Sequence, residues 1–359
     1  MLALPFVLPL NAVRKALLLG YGLAAMVLSS DKRYKLRPNG GRPAGSELVA
    51  KKRVVFVRHG ESVWNEMWNK GFMPPGFPYR VGKGLLQEVL LFASRDSVLL
   101  DSCLNAKGTR QGRALADFVA RTPAEELEVM PERARRDLAA LRGGAGVPEG
   151  GVVRCSSNLR RAIATACLVA PEAVAEAPME VLSSLQEISV NVDTLSLTPA
   201  GQAPLLEDGV PQPETWGQGG NTGNKALFGR GDARLAAFAA WCAARPEEYV
   251  VVGGHSLVFR EFFKRYLPAA SAFPGKSRKM INCGVVAFDL EVFADGEAFV
   301  DEASVEVVYG GFEGGKKKGG LKAQLKKLGM AALCVGAAMA LRVVLGPGRH
   351  AQVSLPFGL

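Results

Sequence analysis

The stretch VVFVRHGESVWNE, residues 54 to 66, decides the fold. Val54 to Val57 is short, apolar and β-branched, which predicts a fully buried strand. It runs directly into Arg58-His59-Gly60-Glu61-Ser62, with Asn65 three residues on. In an open α/β sheet ligands bind at the carboxyl ends of the strands, so His59 sits where a reacting group belongs. Gly60 lets the backbone turn sharply behind it. A second apolar run, Tyr249 to Val252, ends in Gly253-Gly254-His255-Ser256. The chain has 3 His, and two of them therefore follow strand ends; His350, in the polar end of the tail, reads as incidental.

An imidazole that attacks phosphorus must be unprotonated on its attacking nitrogen, and the transition state spreads negative charge over three equatorial oxygens. Arginine forks suit those oxygens bidentately, better than lysine does. Arg58 lies beside the candidate nucleophile. A further short strand begins at Val152 and Val153 and leads through Ser156-Ser157-Asn158-Leu159 into Arg160-Arg161-Ala162, which places another Arg in the first turn of a helix. A helix N-terminus adds backbone N–H donors and the positive end of a dipole. Such an assembly suits a phosphate monoester.

Around these segments, short apolar runs alternate with helical patterns, the signature of a mostly parallel sheet wrapped by helices: an α/β chain folded as a three-layer α/β/α sandwich. Helical patterns cover 108–120, 124–141, 159–170, 232–244 and 257–267. Glu180 to Leu182 is expected as another strand. Runs 285–293 and 304–309 read as a closing hairpin about Asp295-Gly296. Dense Gly and Pro predict long loops at Met73 to Gly84 and Thr198 to Gly231. With 359 residues, 48% hydrophobic and 22% charged, the chain is no disordered tail, collagen-like repeat or disulfide mini-protein. Its 6 Cys show no C-x-x-C pair and no zinc spacing, so buried thiols in a reducing compartment are expected, with no metal site.

Five blocks, in order, resemble the histidine phosphatase superfamily, the group that includes cofactor-dependent phosphoglycerate mutases and many phosphatases. They are VVFVRHGESVWNE; the run from Leu104 through Asn105, Gly108 and Gln111 to Gly112; SSNLRRAIATA at 156 to 166; Leu185-Gln186-Glu187; and Val251 to Ser256. The resemblance implies a phosphoglycerate mutase-like fold and a phosphatase in which His59 is the nucleophile that becomes phosphorylated. Arg58, Arg161 and His255 complete the phosphate pocket, Arg161 rather than Arg160 because it precedes the Ala. Asn65 is similar to an additional phosphate ligand, and Glu187 to the acid that protonates the leaving oxygen. Three departures matter. Ser256 stands where Gly or Asn is usual, which keeps a donor in the pocket. Residues 66 to 103 look like an insertion. After Glu187 the chain reads Ile188-Ser189-Val190, without the Arg-His-Tyr-Gly run of the mutases, which favours hydrolysis over a phosphoryl shuttle. A mutase-type transferase and a non-catalytic scaffold retaining the fold are the alternatives. No metal or organic cofactor is needed. The expected substrate is a phosphorylated small molecule or a phosphoprotein, selected by residues 66 to 103 and 188 to 231.

The formal net charge of +10 is unevenly spread: 1–53 and 316–359 each carry +8, and 54–315 carries −6. A nucleic-acid groove would spread Lys and Arg over the folded face, so no nucleic-acid partner is expected. Both basic blocks instead adjoin apolar stretches, Met1 to Leu10 and Ala16 to Leu28 on either side of Arg14 and Lys15, and Leu328 to Gly346, which points to an anionic membrane surface. The division expected is 1–50 as an apolar, basic targeting or anchor segment, 51–312 as the phosphatase domain, and 313–359 as a basic linker plus apolar segment. A packed helix is the alternative for either end. The positive-inside rule would keep the catalytic domain cytosolic, as a membrane-associated enzyme; a cytoplasmic or an organellar location is the alternative.

Overall fold

A computed structural model of the protein describes residues 4–34, 41–42, 45–71, 75–121, 130–144 and 146–314, with side chains described from Leu10 onward. The apolar tail with Cys334 and His350 therefore lies outside the described residues.

Seven strands form one sheet: β1 (Leu48–Arg58), β2 (Val152–Ser157), β3 (Met179–Leu182), β4 (Trp216–Gly217), β5 (Tyr249–Gly254), β6 (Val285–Phe293) and β7 (Ala298–Tyr309), in the order β4-β3-β2-β5-β1-β6-β7. From β4 through β1 all pairs are parallel, and the hairpin β6–β7 adds an antiparallel edge beside β1. Alternate residues of β1 feed opposite cores, which is why its apolar run is continuous. Val54 and Phe56 pack against two helices, α8 (Gly231–Ala244) and α9 (Ser256–Tyr266), through Phe238, Phe259 and Phe262. Val55 and Val57 pack against α4 (Ala106–Arg121) and α5 (Glu132–Arg142) through Leu115, Val119 and Leu138. The helices α6 (Arg160–Val169) and α7 (Pro171–Glu176) bury Ile163, Cys167 and Val174 under β3. The result is the expected three-layer sandwich. The five described cysteines are all free.

Residues expected as the loop Met73 to Gly84 belong in large part to a helix, α3 (Gly76–Leu91), which packs on α2 (Val63–Asn69). Its Gly and Pro content disfavours a helix locally, yet packing overrides propensity. Phe77 and Val81 pack beside Trp64, Met67 and Trp68. At Gly84 a Cβ would stand 2.5 Å from the Met67 sulfur, so close approach of the two helices explains the glycine. The charged pattern over 124–141 yields α5 from Glu132 only; Pro131 stands at its N-cap, and 122–129 lie outside the described residues.

The N-terminal apolar stretch forms one helix, α1 (Leu4–Leu28), and from Leu10 its inner face is part of the domain. Leu18 and Leu19 join Trp64, Met67, Leu99, Val192 and Leu195 in one cluster. Lys15, which interrupts the apolar stretch, is 2% exposed. Its Nζ donates to the carbonyls of Leu91 (2.5 Å) and Asp96, 3.8 Å from Glu88. Of the basic run 51–53, Lys52 donates to the carbonyls of Arg245 and Glu247, and Arg53 is buried against Asp137 and Asp289. Charges that composition assigns to a membrane surface are thus partly internal.

Candidate active site

β1 and β5 are parallel neighbours in a register that pairs Val57 with Gly253 and Arg58 with Gly254. The two chains therefore leave the sheet side by side, and the residues that follow, His59 and His255, meet with ring centroids 5.1 Å apart. The His59 amide donates to the Gly254 carbonyl at 3.0 Å.

Hydrogen bonding assigns both tautomers. His59 Nδ1 lies 2.6 Å from the Gly60 carbonyl, which can only accept, so Nδ1 carries the proton and Nε2 presents a lone pair. His255 Nε2 lies 2.9 Å from Ser157 Oγ. That hydroxyl accepts from the Leu159 amide at 3.3 Å and has no other acceptor among the described residues for its own proton, so the proton goes to Nε2 and His255 Nδ1 carries a hydrogen. His255 Nδ1 is buried without a partner among the described residues, as is Arg58 Nε. Donors of this kind normally have acceptors, and a bound oxyanion would supply them.

Arg58 Nη1 donates to the Met280 carbonyl and lies 3.5 Å from Glu313. Arg161 opens α6, its Nη1 donating to the Asp193 carbonyl at 2.9 Å. Its neighbour Arg160 is committed elsewhere, to Asp96 at 2.6 Å and to the carbonyls of Ser97 and Asp101. Only Arg161 of the pair faces the imidazoles. Both histidines are held well below the ordinary imidazole range, first by burial and then by the positive charge of Arg161, with Arg58 adding to it. They are neutral at pH 7, as a nucleophile and a hydrogen-bond donor require, and the field suits an anion. His59, Glu187 and His255 do offer ligand atoms within 4.8 Å of one another.

The same shifts set a stability trend. In the unfolded chain both imidazoles titrate near 6.5 and take up protons that the folded state refuses, so stability is complete above about pH 6.5 and is lost as pH falls. Each histidine contributes a slope of up to about 1.4 kcal/mol per pH unit. Urea unfolding between pH 7.5 and 5.5 should show wild type losing stability faster than the His59→Ala protein, and equal slopes would contradict a buried neutral His59.

Glu187 faces this pair. Its Oε2 is 3.9 Å from His255 Nδ1 and its Oε1 accepts from the Leu257 amide in the first turn of α9 at 3.2 Å. Its backbone is clamped from below: Lys225 Nζ donates to the Glu187 carbonyl at 2.6 Å and also to that of Ser189, while Arg234 donates to the Gln186 carbonyl. Asp31, 1% exposed and just beyond α1, joins the clamp. It binds Lys225 Nζ at 3.1 Å, Arg234 Nη2 at 2.6 Å and the Ser189 amide at 3.1 Å. Burial brings the Lys225 ammonium down to about 8.

Ser256 opens α9, buried beside His255. Asn65, expected to bind phosphate, accepts at its side-chain carbonyl from Asn69 at 2.8 Å, which leaves its amide N–H groups as donors. The second sequence block supports the loop rather than touching the histidines: Asn105 caps α4 through the Gly108 amide at 2.8 Å, and Gln111 accepts from the Glu61 amide at 2.9 Å. A Cβ on Gly60 would stand 2.6 Å from the Gly108 carbonyl oxygen, and one on Gly108 would collide with the backbone of Glu61. Thr165 and Asn282 escaped the sequence reading: the Gly60 amide donates to Thr165 Oγ1 at 3.0 Å, and Asn282 Nδ2 donates to the His59 carbonyl at 2.9 Å. Thr165 lies inside the third block, whereas Asn282, more than two hundred residues from His59, has no local signal.

Two strand-end imidazoles, framed by arginines at the carboxyl edge of this sheet, complete the architecture. The fold is a three-layer α/β/α sandwich around a mostly parallel seven-stranded sheet, with both histidines at its carboxyl edge. No protein-family model matches the chain, and no curated protein does. Solved structures similar to it include a mycobacterial hydrolase, at 17% identity over 74% of this chain and 100% of the other, TM-score 0.35. Another is a putative alpha-ribazole-5'-P phosphatase from Escherichia coli K-12, at 14% identity over 70% of this chain and 94% of the other, TM-score 0.34. A mycobacterial glucosyl-3-phosphoglycerate phosphatase in complex with VO3 matches at 17% identity over 70% and 97%, TM-score 0.34.

Proposed function

We propose that the protein hydrolyses phosphate monoesters through a phosphohistidine on His59. The observation that carries this reading is the free Nε2 lone pair of a neutral, buried His59 facing a second imidazole under the field of Arg161 and Arg58. His59 Nε2 attacks phosphorus as the bond to the ester oxygen breaks, and the Glu187 carboxyl passes its proton to that oxygen. Water then attacks the phosphohistidine, giving its proton to the Glu187 carboxylate, and phosphate leaves as the P–N bond breaks. His255 Nδ1–H, Arg58 and Arg161 stabilise the equatorial oxygens, so positioning and charge carry most of the rate. A phosphorylated small molecule is the expected substrate.

The test is turnover on a phosphoester panel by the full-length protein, with Glu187→Gln as the diagnostic variant. Glutamine keeps the shape but has no proton to give. It should slow alkyl phosphates by about 10²- to 10⁴-fold and aryl phosphates, whose phenolate needs little protonation, far less. Equal losses on both classes would remove Glu187 from the role of acid.

A further inference from the structure

The inner face of α1 is docked on the domain through Lys15, Leu18 and Leu19. On the opposite side Leu10, Val13, Leu17, Gly20, Ala24 and Val27 recur at helical spacing, each exposed or half-buried, and no polar residue interrupts the row. A helix that is apolar on both faces needs cover on both. From Leu10 to Leu28 this one is long and apolar enough to cross a membrane.

The rim of the row is basic. At its start Leu10 and Arg14 border a cavity of about 260 Å³ shared with Arg95 and Leu205. Four cationic side chains and no carboxylate line that cavity. Two of the four are satisfied behind its wall, Lys15 by the Leu91 carbonyl and Arg160 by Asp96. Arg14 and Arg95 have no hydrogen bond or ion pair among the described residues. Burial, and then the charge of Arg95, lowers the Arg14 pKa, so the two guanidiniums oppose each other without a shared anion. At the far end of the row the exposed Arg33 donates to the Val27 carbonyl at 2.8 Å. The helix itself contains no Asp or Glu.

Charge selects the cover. A second copy laid along the row would set one basic end against another, whichever way the two helices ran. The apolar stretch 328–346 of this chain follows a segment, 316–327, that holds six Lys and no acid, so it adds cations to cations. An anionic bilayer complements both the row and its rim. We propose that the outer face of α1 rests on an anionic membrane while the helix stays docked on the domain, its leucines at the acyl boundary and a lipid phosphate between Arg14 and Arg95. Attachment of this kind lies in the membrane plane, and Lys15 keeps its acceptors. It is independent of the reaction at His59.

The test is co-sedimentation of the full-length protein with vesicles of phosphatidylcholine, alone or mixed with phosphatidylserine. Binding is expected to the mixed vesicles, and part of it should survive about 0.5 M salt, which screens exposed charges and leaves apolar burial in place. Leu17→Gln should weaken partition about tenfold, and Arg95→Gln about fivefold. Both side chains are exposed, so neither change disturbs packing. Because Leu17 lies midway along Leu10–Leu28, a Leu17→Trp protein on vesicles with brominated acyl chains reports the orientation. Relative to wild type, bromines near the headgroups should quench it more than bromines near the bilayer centre. The reverse order would mean a spanning helix and overturn the proposal. Binding that Leu17→Gln and Arg95→Gln both leave unchanged overturns it too, and assigns attachment to the basic tail. So does an absence of binding to either vesicle, and a dimer that Leu17→Gln dissociates would then assign the row to a second copy.

Discussion

In the His59→Ala protein, turnover of every phosphate monoester is expected to fall by at least about 10⁴-fold while the fold persists, because a covalent route without its nucleophile retains only the binding and charge stabilisation of the pocket. The imidazole is joined to the domain by one hydrogen bond, to the Gly60 carbonyl, and its removal disturbs no element of the sheet. The companion measurement is chemical trapping. A P–N bond breaks in acid and survives in alkali, so wild-type protein mixed with substrate and quenched in alkali should carry one phosphate, and an acid quench should lose it. The Ala variant should carry none in either quench. Retained activity, or a phosphate trapped on the variant, would move the nucleophile away from His59.

The second large effect concerns a residue that touches no substrate. Asp31→Ala removes the shared counter-ion of Lys225 and Arg234 and leaves a buried and a half-buried cation facing each other beneath Glu187. Breaking a buried pair by deleting one partner costs about 3–5 kcal/mol, which for a chain of this size corresponds to a fall in Tm of roughly 4–7 °C. The functional signature separates positioning from general destabilisation. Measured well below the new Tm, the variant should lose far more activity on alkyl than on aryl phosphates, because the clamp it breaks holds the backbone on either side of Glu187. A uniform loss on both classes would mean that Asp31 is structural alone.

These two residues mark how far the sequence could be read. His59 and His255 were legible because each follows an apolar strand, and β-sheet geometry alone brings such strand ends to one edge. The difference between Arg160 and Arg161 was also legible, through the family pattern around them. Asp31, Lys225 and Arg234 were not. Each is an ordinary charged residue locally, and their relation exists only once α1, the segment after Glu187 and α8 are packed together. The helix over 76–91 was hidden for a similar reason, since its glycines serve an approach to Met67 that no local pattern announces. The burial of Lys15 was hidden too, because its acceptors lie more than seventy residues downstream.

That last separation has a kinetic consequence. During synthesis α1 emerges first, but the groups that receive it are spread from Trp64 to Lys225, whose carbonyl accepts the Tyr21 hydroxyl at 2.7 Å. At roughly 5–20 residues per second, about 10–40 s elapse before the last of them is made. Throughout that interval the helix is an unsheltered apolar segment, open to any factor that recognises such segments on nascent chains. Once docked, it can enter a bilayer only by uncovering the Trp64–Trp68 cluster and carrying the Lys15 ammonium into hydrocarbon.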